Sequence, residues 1–133
     1  MPGEWEFDYS IIPGNDPLRT YQEAWSFNSP LRAVAADIHP GNLPSSGTFL
    51  RISDPSFVIS AIKEAEDGSG LLVRGYNLGA ETIPVVFTPW QVFKNAAQVN
   101  MAEEQINRRL KVGSQGGVAV DVRGHEILTI RLR

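Results

Sequence analysis

The chain has no cysteine in its 133 residues. Disulfides and thiolate metal sites are therefore excluded, a composition that fits a reducing cytoplasm, where the protein is expected to reside. Histidine is nearly as scarce, with two residues. No apolar run approaches the ~18 residues of a membrane-spanning helix. The opening MPGEWEFD has neither the basic nor the apolar region of a signal peptide. No Asn-x-Ser/Thr acceptor occurs, since Asn28-Ser29-Pro30 fails the pattern. There is no excess of basic charge: net charge is −3 and the pI is about 5.3, which argues against a nucleic-acid partner. What remains is an ordinary soluble composition, 42% hydrophobic and 20% charged, at a length expected to form one domain over residues 1–133.

The strongest local pattern lies in SFVISAIKEAEDGSGLLVRGYNL, residues 56–78. Phe57, Ile59 and Ala61 alternate with Val58, Ser60 and Ile62. Beyond the polar connection Glu66-Asp67-Gly68-Ser69-Gly70, Leu71, Val73 and Gly75 alternate with Leu72, Arg74 and Tyr76. Period-2 alternation around a glycine-bearing turn predicts a β-hairpin. The same alternation in Trp5, Phe7, Tyr9 and Ile11 predicts a half-buried strand over 4–12, with Glu4, Glu6 and Asp8 towards water. Further strands are expected at 31–38, 48–52, 82–88, 91–101, 106–112, 118–122 and 126–132, the last two joined as a hairpin at Arg123-Gly124. Pro84 places its strand at an edge or makes it a starting residue. One helix is expected, over 18–27: Asp16 can cap it, Pro17 suits its first position, and Leu18, Tyr21, Ala24 and Trp25 share a face. Short strands at this spacing predict an all-β antiparallel sandwich with one short helix near the N-terminus.

Sites that carry chemistry are hard to find. Asp37 and His39 share a strand face, but zinc takes at least three protein ligands and no third is signposted. His125, beside Gly124, reads as a turn residue. Neither Ser45-Ser46-Gly47 nor Ser69-Gly70 is a nucleophile elbow, and Gly113–Gly117 lacks the Lys-Ser/Thr of a phosphate loop. Arg108, Arg109 and Lys111 read as a solvated strand face. The charges Lys63, Glu64, Glu66, Asp67 and Arg74 read as cross-strand pairs on the hairpin. Among the aromatics, Trp5, Tyr9 and Trp25 fall in periodic patterns that favour core or interface packing. Trp90, near a strand end after Thr88-Pro89, and Tyr76, at the end of the hairpin, are the candidates for contact with a carbohydrate or a neighbouring domain.

Ser60, Ala61, Lys63, Glu66, Asp67, Gly68, Arg74, Tyr76 and Asn77 together resemble the C-terminal β-sandwich region of glycoside hydrolase family 38, the zinc-dependent α-mannosidases. The pattern there is Ser-Ala-Lys-Ala-Glu-Asp-Gly with an Arg-aromatic-Asn ending. Val99, Asn100 and Glu103 or Glu104 resemble its Val-Asn-Leu-x-Glu stretch, and Glu126, Ile127 and Thr129 its closing strand. GEWEFDYSIIPG is similar to the aromatic strand that often opens this region. The resemblance implies a parent that performs retaining hydrolysis of terminal α-mannosyl residues with zinc. The family's nucleophilic Asp and His/Asp zinc ligands belong to a catalytic core N-terminal to the matched region, and none of those motifs occurs in residues 1–133. No catalytic, metal or cofactor residue is therefore assigned to this chain, and its expected partner is the catalytic domain of the parent. A stand-alone carbohydrate-binding module, with mannose-containing glycans as partners, is the second reading. A small independent enzyme using Asp37 and His39 is the third.

Overall fold

The computed structural model describes residues 3–133, with the side chains of Asn107 and Arg108 set aside. The chain divides into two compact units, Met1–Gly41 and Asn42–Arg133.

In the first unit the regular element is a helix, α1, Pro17–Asn28. The Asp16 carboxylate accepts hydrogen bonds from the backbone N–H groups of Leu18 (3.0 Å) and Arg19 (3.2 Å), satisfying two donors that a helix start leaves open. Leu18, Tyr21 and Ala24 are half-buried, and Tyr21 and Trp25 stack at 6.1 Å. The strands expected at 4–12 and 31–38 do not form. The side chains there alternate as a strand requires, but a ladder also needs a partner backbone, and none is paired with either segment. Trp5, Phe7, Tyr9 and Ile11 are 70–84% exposed, so the core reading of Trp5 and Tyr9 fails; Trp25 is also exposed.

The second unit is an antiparallel two-sheet sandwich of eight strands. These are β1 (Leu50–Ile52), β2 (Phe57–Glu64), β3 (Leu71–Asn77), β4 (Ile83–Pro89), β5 (Ala96–Val99), β6 (Gln105–Leu110), β7 (Val118–Val122) and β8 (Ile127–Leu132). One sheet has the order β1-β4-β7, the other β2-β3-β8-β5-β6. The predicted β2–β3 hairpin forms, running from Phe57↔Asn77 to Glu64↔Leu71 with a register shift between Ile59 and Ala61. Pro84 pairs only with Asp121 of β7, because β1 is too short to reach it, so proline occupies a locally open edge.

The final two strands do not form the expected hairpin. β7 pairs with β4 in one sheet, whereas β8 sits between β3 and β5 in the other. The Arg123–Glu126 connection is therefore a crossing between sheets. His125 takes a positive φ of 58° there and donates its N–H to the Gly79 carbonyl.

Alternation builds the core. Val85 and Phe87 of β4 and Val118, Val120 and Val122 of β7 face Phe57, Val73, Leu128, Ile130 and Leu132 of the other sheet. Phe57 and Phe87 meet edge to face at 5.1 Å and 83°. Gly75 is required here, because a Cβ at this position would overlap the Phe57 ring and the Val58 carbonyl oxygen.

Candidate functional site

Three places gather polar or aromatic groups. The first is the end of the sandwich where β3 leaves one sheet for β4 and β7 returns to β8. The fully buried Asn77 side chain joins both crossings. Its amide nitrogen donates to the carbonyls of Glu81 (2.6 Å), Arg123 (3.1 Å) and Val122 (3.3 Å), and its Oδ1 accepts from the Gly79 N–H (2.9 Å). With two N–H groups serving three carbonyls, the donors are shared. Gly124 packs so closely beneath Ala80 that a Cβ would overlap the Ala80 backbone.

The second is a charge network on the outer face of the five-stranded sheet. Because β8 is central, its outward residues Thr129 and Arg131 are buried as well as its inward ones. Arg74 Nε donates to the Thr129 hydroxyl at 3.0 Å. Arg131 pairs with Asp67 at 3.2 Å and donates to the Glu103 carbonyl, while Lys63 meets the Glu103 carboxylate at 2.7 Å and Glu66 at 3.3 Å. Arg133 donates to the Ser69 hydroxyl at 2.7 Å and lies 3.7 Å from Asp67. The charges of the hairpin thus do not pair across β2 and β3, as the sequence suggested. In register Lys63 faces Leu72 and Arg74 faces Ala61; apart from the local Lys63–Glu66 pair at the turn, the partners come from β8, Arg133 and the β5–β6 turn. Sequence reasoning missed Arg131. The available signal was the alternation of ILTIRLR, which buries Arg131 only once β8 is known to be central.

Within this network the Glu103 carboxyl is held below the ordinary 4.5, chiefly by the Lys63 hydrogen bond and then by the Glu66 N–H. Asp67 is held below 3.8, chiefly by the Ser69 hydroxyl and then by the Ser69 N–H. Lys63 is raised above 10.5, chiefly by Glu103. A depressed carboxylate stabilises the fold above its unfolded pKa and loses that contribution as pH falls through its folded pKa. Acidification below about pH 4.5 is therefore expected to lower the thermal midpoint. Glu103→Gln is expected to have the lower midpoint at neutral pH, with the gap to the parent closing as the solution is acidified. A gap unchanged between pH 7 and pH 3 would show that Glu103 ionisation contributes nothing.

The third place holds Trp90. It follows β4, is 50% exposed, donates its backbone N–H to Phe49, and tilts against the Phe49 ring at 6.3 Å. With Leu43, Pro44 and the 45–48 loop it borders a hollow of about 200 Å³. Tyr76 is half-buried on β3 between Val58 and Ile127, in the other sheet. Tyr76 does not line the hollow beside Trp90, so the two expected contact residues are not brought together there.

The described residues do not assemble a zinc site around Asp37 and His39. Asp37 and His39 lie in an exposed segment without regular structure, and His39 Nδ1 sits 3.1 Å from the Pro40 carbonyl. Among the described residues no group of three or more His, Cys, Asp or Glu could hold a metal ion. Among the described residues no helix is long and apolar enough to cross a membrane.

The arrangement is that of a β-sandwich whose polar motif residues bind one another. Residues 56–130, more than half of the chain, match the glycosyl hydrolases family 38 C-terminal beta sandwich domain. The chain belongs to that family. Neither a curated protein nor a solved structure matches it.

Proposed function

We propose that the chain is a non-catalytic accessory domain of an α-mannosidase-like hydrolase and braces the parent's catalytic domain. The parent reaction would be retaining hydrolysis of terminal α-mannosyl residues, with zinc held by that catalytic domain. The observation that carries this reading is the exposure of Trp5, Phe7, Tyr9 and Ile11 and of Leu31, Val34 and Ile38, each at least 70% exposed. So many large apolar side chains open to solvent point to surface that a partner covers. Membership of the family supplies the class of partner. Lys63, Asp67, Arg74 and Asn77 are engaged in internal bonds, so the motif residues serve the fold of the sandwich.

Trp90 favours a second reading, a carbohydrate-binding module, because a half-exposed indole beside a hollow offers a sugar ring a stacking surface. Tyr76 is the other contact proposed for a glycan or a neighbouring domain.

One set of assays on the 133-residue chain tests both. Incubated with p-nitrophenyl α-mannoside and zinc, the chain is expected to release no nitrophenol above the buffer rate, and titration with mannobiose is expected to leave its tryptophan fluorescence unchanged. Turnover abolished by Asp37→Ala or His39→Ala would overturn the accessory reading. A saturable fluorescence change lost in Trp90→Ala would establish the binding module instead.

A further inference from the structure

A cleft of about 330 Å³ opens at the β5–β6 side of the five-stranded sheet. It is lined by Lys94, Arg109, Arg131 and Arg133, and no carboxylate side chain lines it, although the chain as a whole carries a net charge of −3. The strand register explains its shape. Ala97 pairs with Arg109 on one side and with Arg131 on the other. Strands lie about 4.8 Å apart, so the two arginine stems rise roughly 10 Å from one another with only a methyl group between them. Val99, next on the same face, pairs with Gln105, and the ladder shifts register between Ala97 and Val99.

The two walls differ. Arg131 and Arg133 are already oriented, through Asp67, Ser69 and the Glu103 carbonyl, so that wall is preorganised. Asp67, Glu103 and Glu66 offset the charges of Arg131, Arg133 and Lys63. Lys94 and Arg109 line the cleft and have no carboxylate side chain as an ion-pair partner among the described residues. Like charges gathered around a hollow repel one another, and a multivalent anion seated among them removes that repulsion. The guanidinium of Arg109 offers the fork that matches two phosphate oxygens, and Lys94 adds a point charge. The amides of Asn95 and Gln105 provide neutral polar groups in the same lining. The backbone N–H groups of Lys94 and Asn95 are committed to the Arg133 carbonyl, which leaves recognition to side chains.

We propose that this cleft binds a small oxyanion of the phosphate or phosphate-monoester class, with Lys94 and Arg109 as its principal contacts. The site lies on the sandwich itself and does not depend on the mannosidase reading. Its volume exceeds what a lone phosphate fills and lies near the lower end for small-molecule pockets.

The test is an amide-shift titration of the full chain with inorganic phosphate, with glucose 6-phosphate, and with glucose as the neutral control, against sodium chloride at matched ionic strength. The expected result is a saturable shift centred on Ala97, Arg109 and Arg131 with both phosphates and none with glucose. Tighter binding of the sugar phosphate would assign a monoester, and equal binding would assign phosphate alone. The double variant Lys94→Gln/Arg109→Gln, at exposed positions, is expected to keep the thermal midpoint and weaken binding about tenfold or more. The proposal is overturned by an absence of localised shifts, by shifts that chloride reproduces, or by a double variant that binds as tightly as the parent.

Discussion

Replacing Asn77 with alanine is expected to destabilise the sandwich by about 3 kcal/mol or more, lowering its thermal midpoint by roughly 10 °C. The side chain is fully buried and serves the carbonyls of Glu81, Val122 and Arg123 and the N–H of Gly79. Alanine removes all of these bonds at once, and three of the four groups left behind are carbonyl acceptors that cannot pair with one another. Each buried polar group left unpaired costs about 1–3 kcal/mol. The effect is larger than a single lost hydrogen bond because Asn77 ties together two crossings between the sheets, the one from β3 to β4 and the one from β7 to β8. Asn77→Asp keeps the acceptor for Gly79 but turns an oxygen towards three carbonyls, so it is expected to be destabilising as well. Calorimetry of both variants checks this; a loss below about 0.5 kcal/mol for Asn77→Ala, the size of an ordinary surface change, would show that the crossings do not depend on it.

Phe87→Ala is expected to cost about 3–5 kcal/mol. Phe87 is fully buried at the centre of β4 and bridges the two sheets through its edge-to-face contact with Phe57. Truncation removes the apolar area and leaves a cavity between two hydrogen-bonded sheets, which cannot close over it without breaking register. Part of the cost is the aromatic pair, about 0.5–1.5 kcal/mol beyond burial, and Phe57→Ala in the Phe87→Ala background should accordingly lose less than in the parent. Val86→Ala, one residue away on the outward face, is the control and is expected to stay within about 1 kcal/mol. Urea midpoints of the four variants and the parent decide the matter. Equal losses at positions 86 and 87 would contradict the assignment of inner and outer faces.

These two residues show how far the sequence could be read. The faces of β3, β4 and β7 follow from period-2 alternation, which is local, and Phe87 is recognisable as inward by counting from Val85; in β2 the register shift between Ile59 and Ala61 breaks the alternation, so Ala61 faces outward opposite Arg74 and Ile62 lies opposite Val73, the reverse of the faces expected for them. The cap of α1 is local too, with Asp16 and Pro17 adjacent in the chain. Alternation is blind to pairing, however. Trp5 to Ile11 alternates as clearly as β7, and the difference is that β7 has β4 beside it. The β7–β8 connection has a turn composition that serves a hairpin or a crossing equally well, and only the ladder of β8 with β3 and β5 decides between them. Among the residues that make the candidate sites, the Arg131–Asp67 pair is separated by 64 positions and the bond from Asn77 to Arg123 by 46, distances over which no sequence period carries information. The cationic cleft was illegible for the same reason: Arg109 stood out only within a local basic cluster, and Lys94, Arg131 and Arg133 join it through the register of three strands.

The central claim is that this sandwich serves a larger hydrolase. The measurement that tests it most directly is to sequence the source DNA upstream of the codon for residue 1. The account predicts an open reading frame continuing for several hundred codons and encoding clustered His and Asp residues fit to hold zinc, together with a nucleophilic Asp. An in-frame stop codon immediately upstream would contradict it.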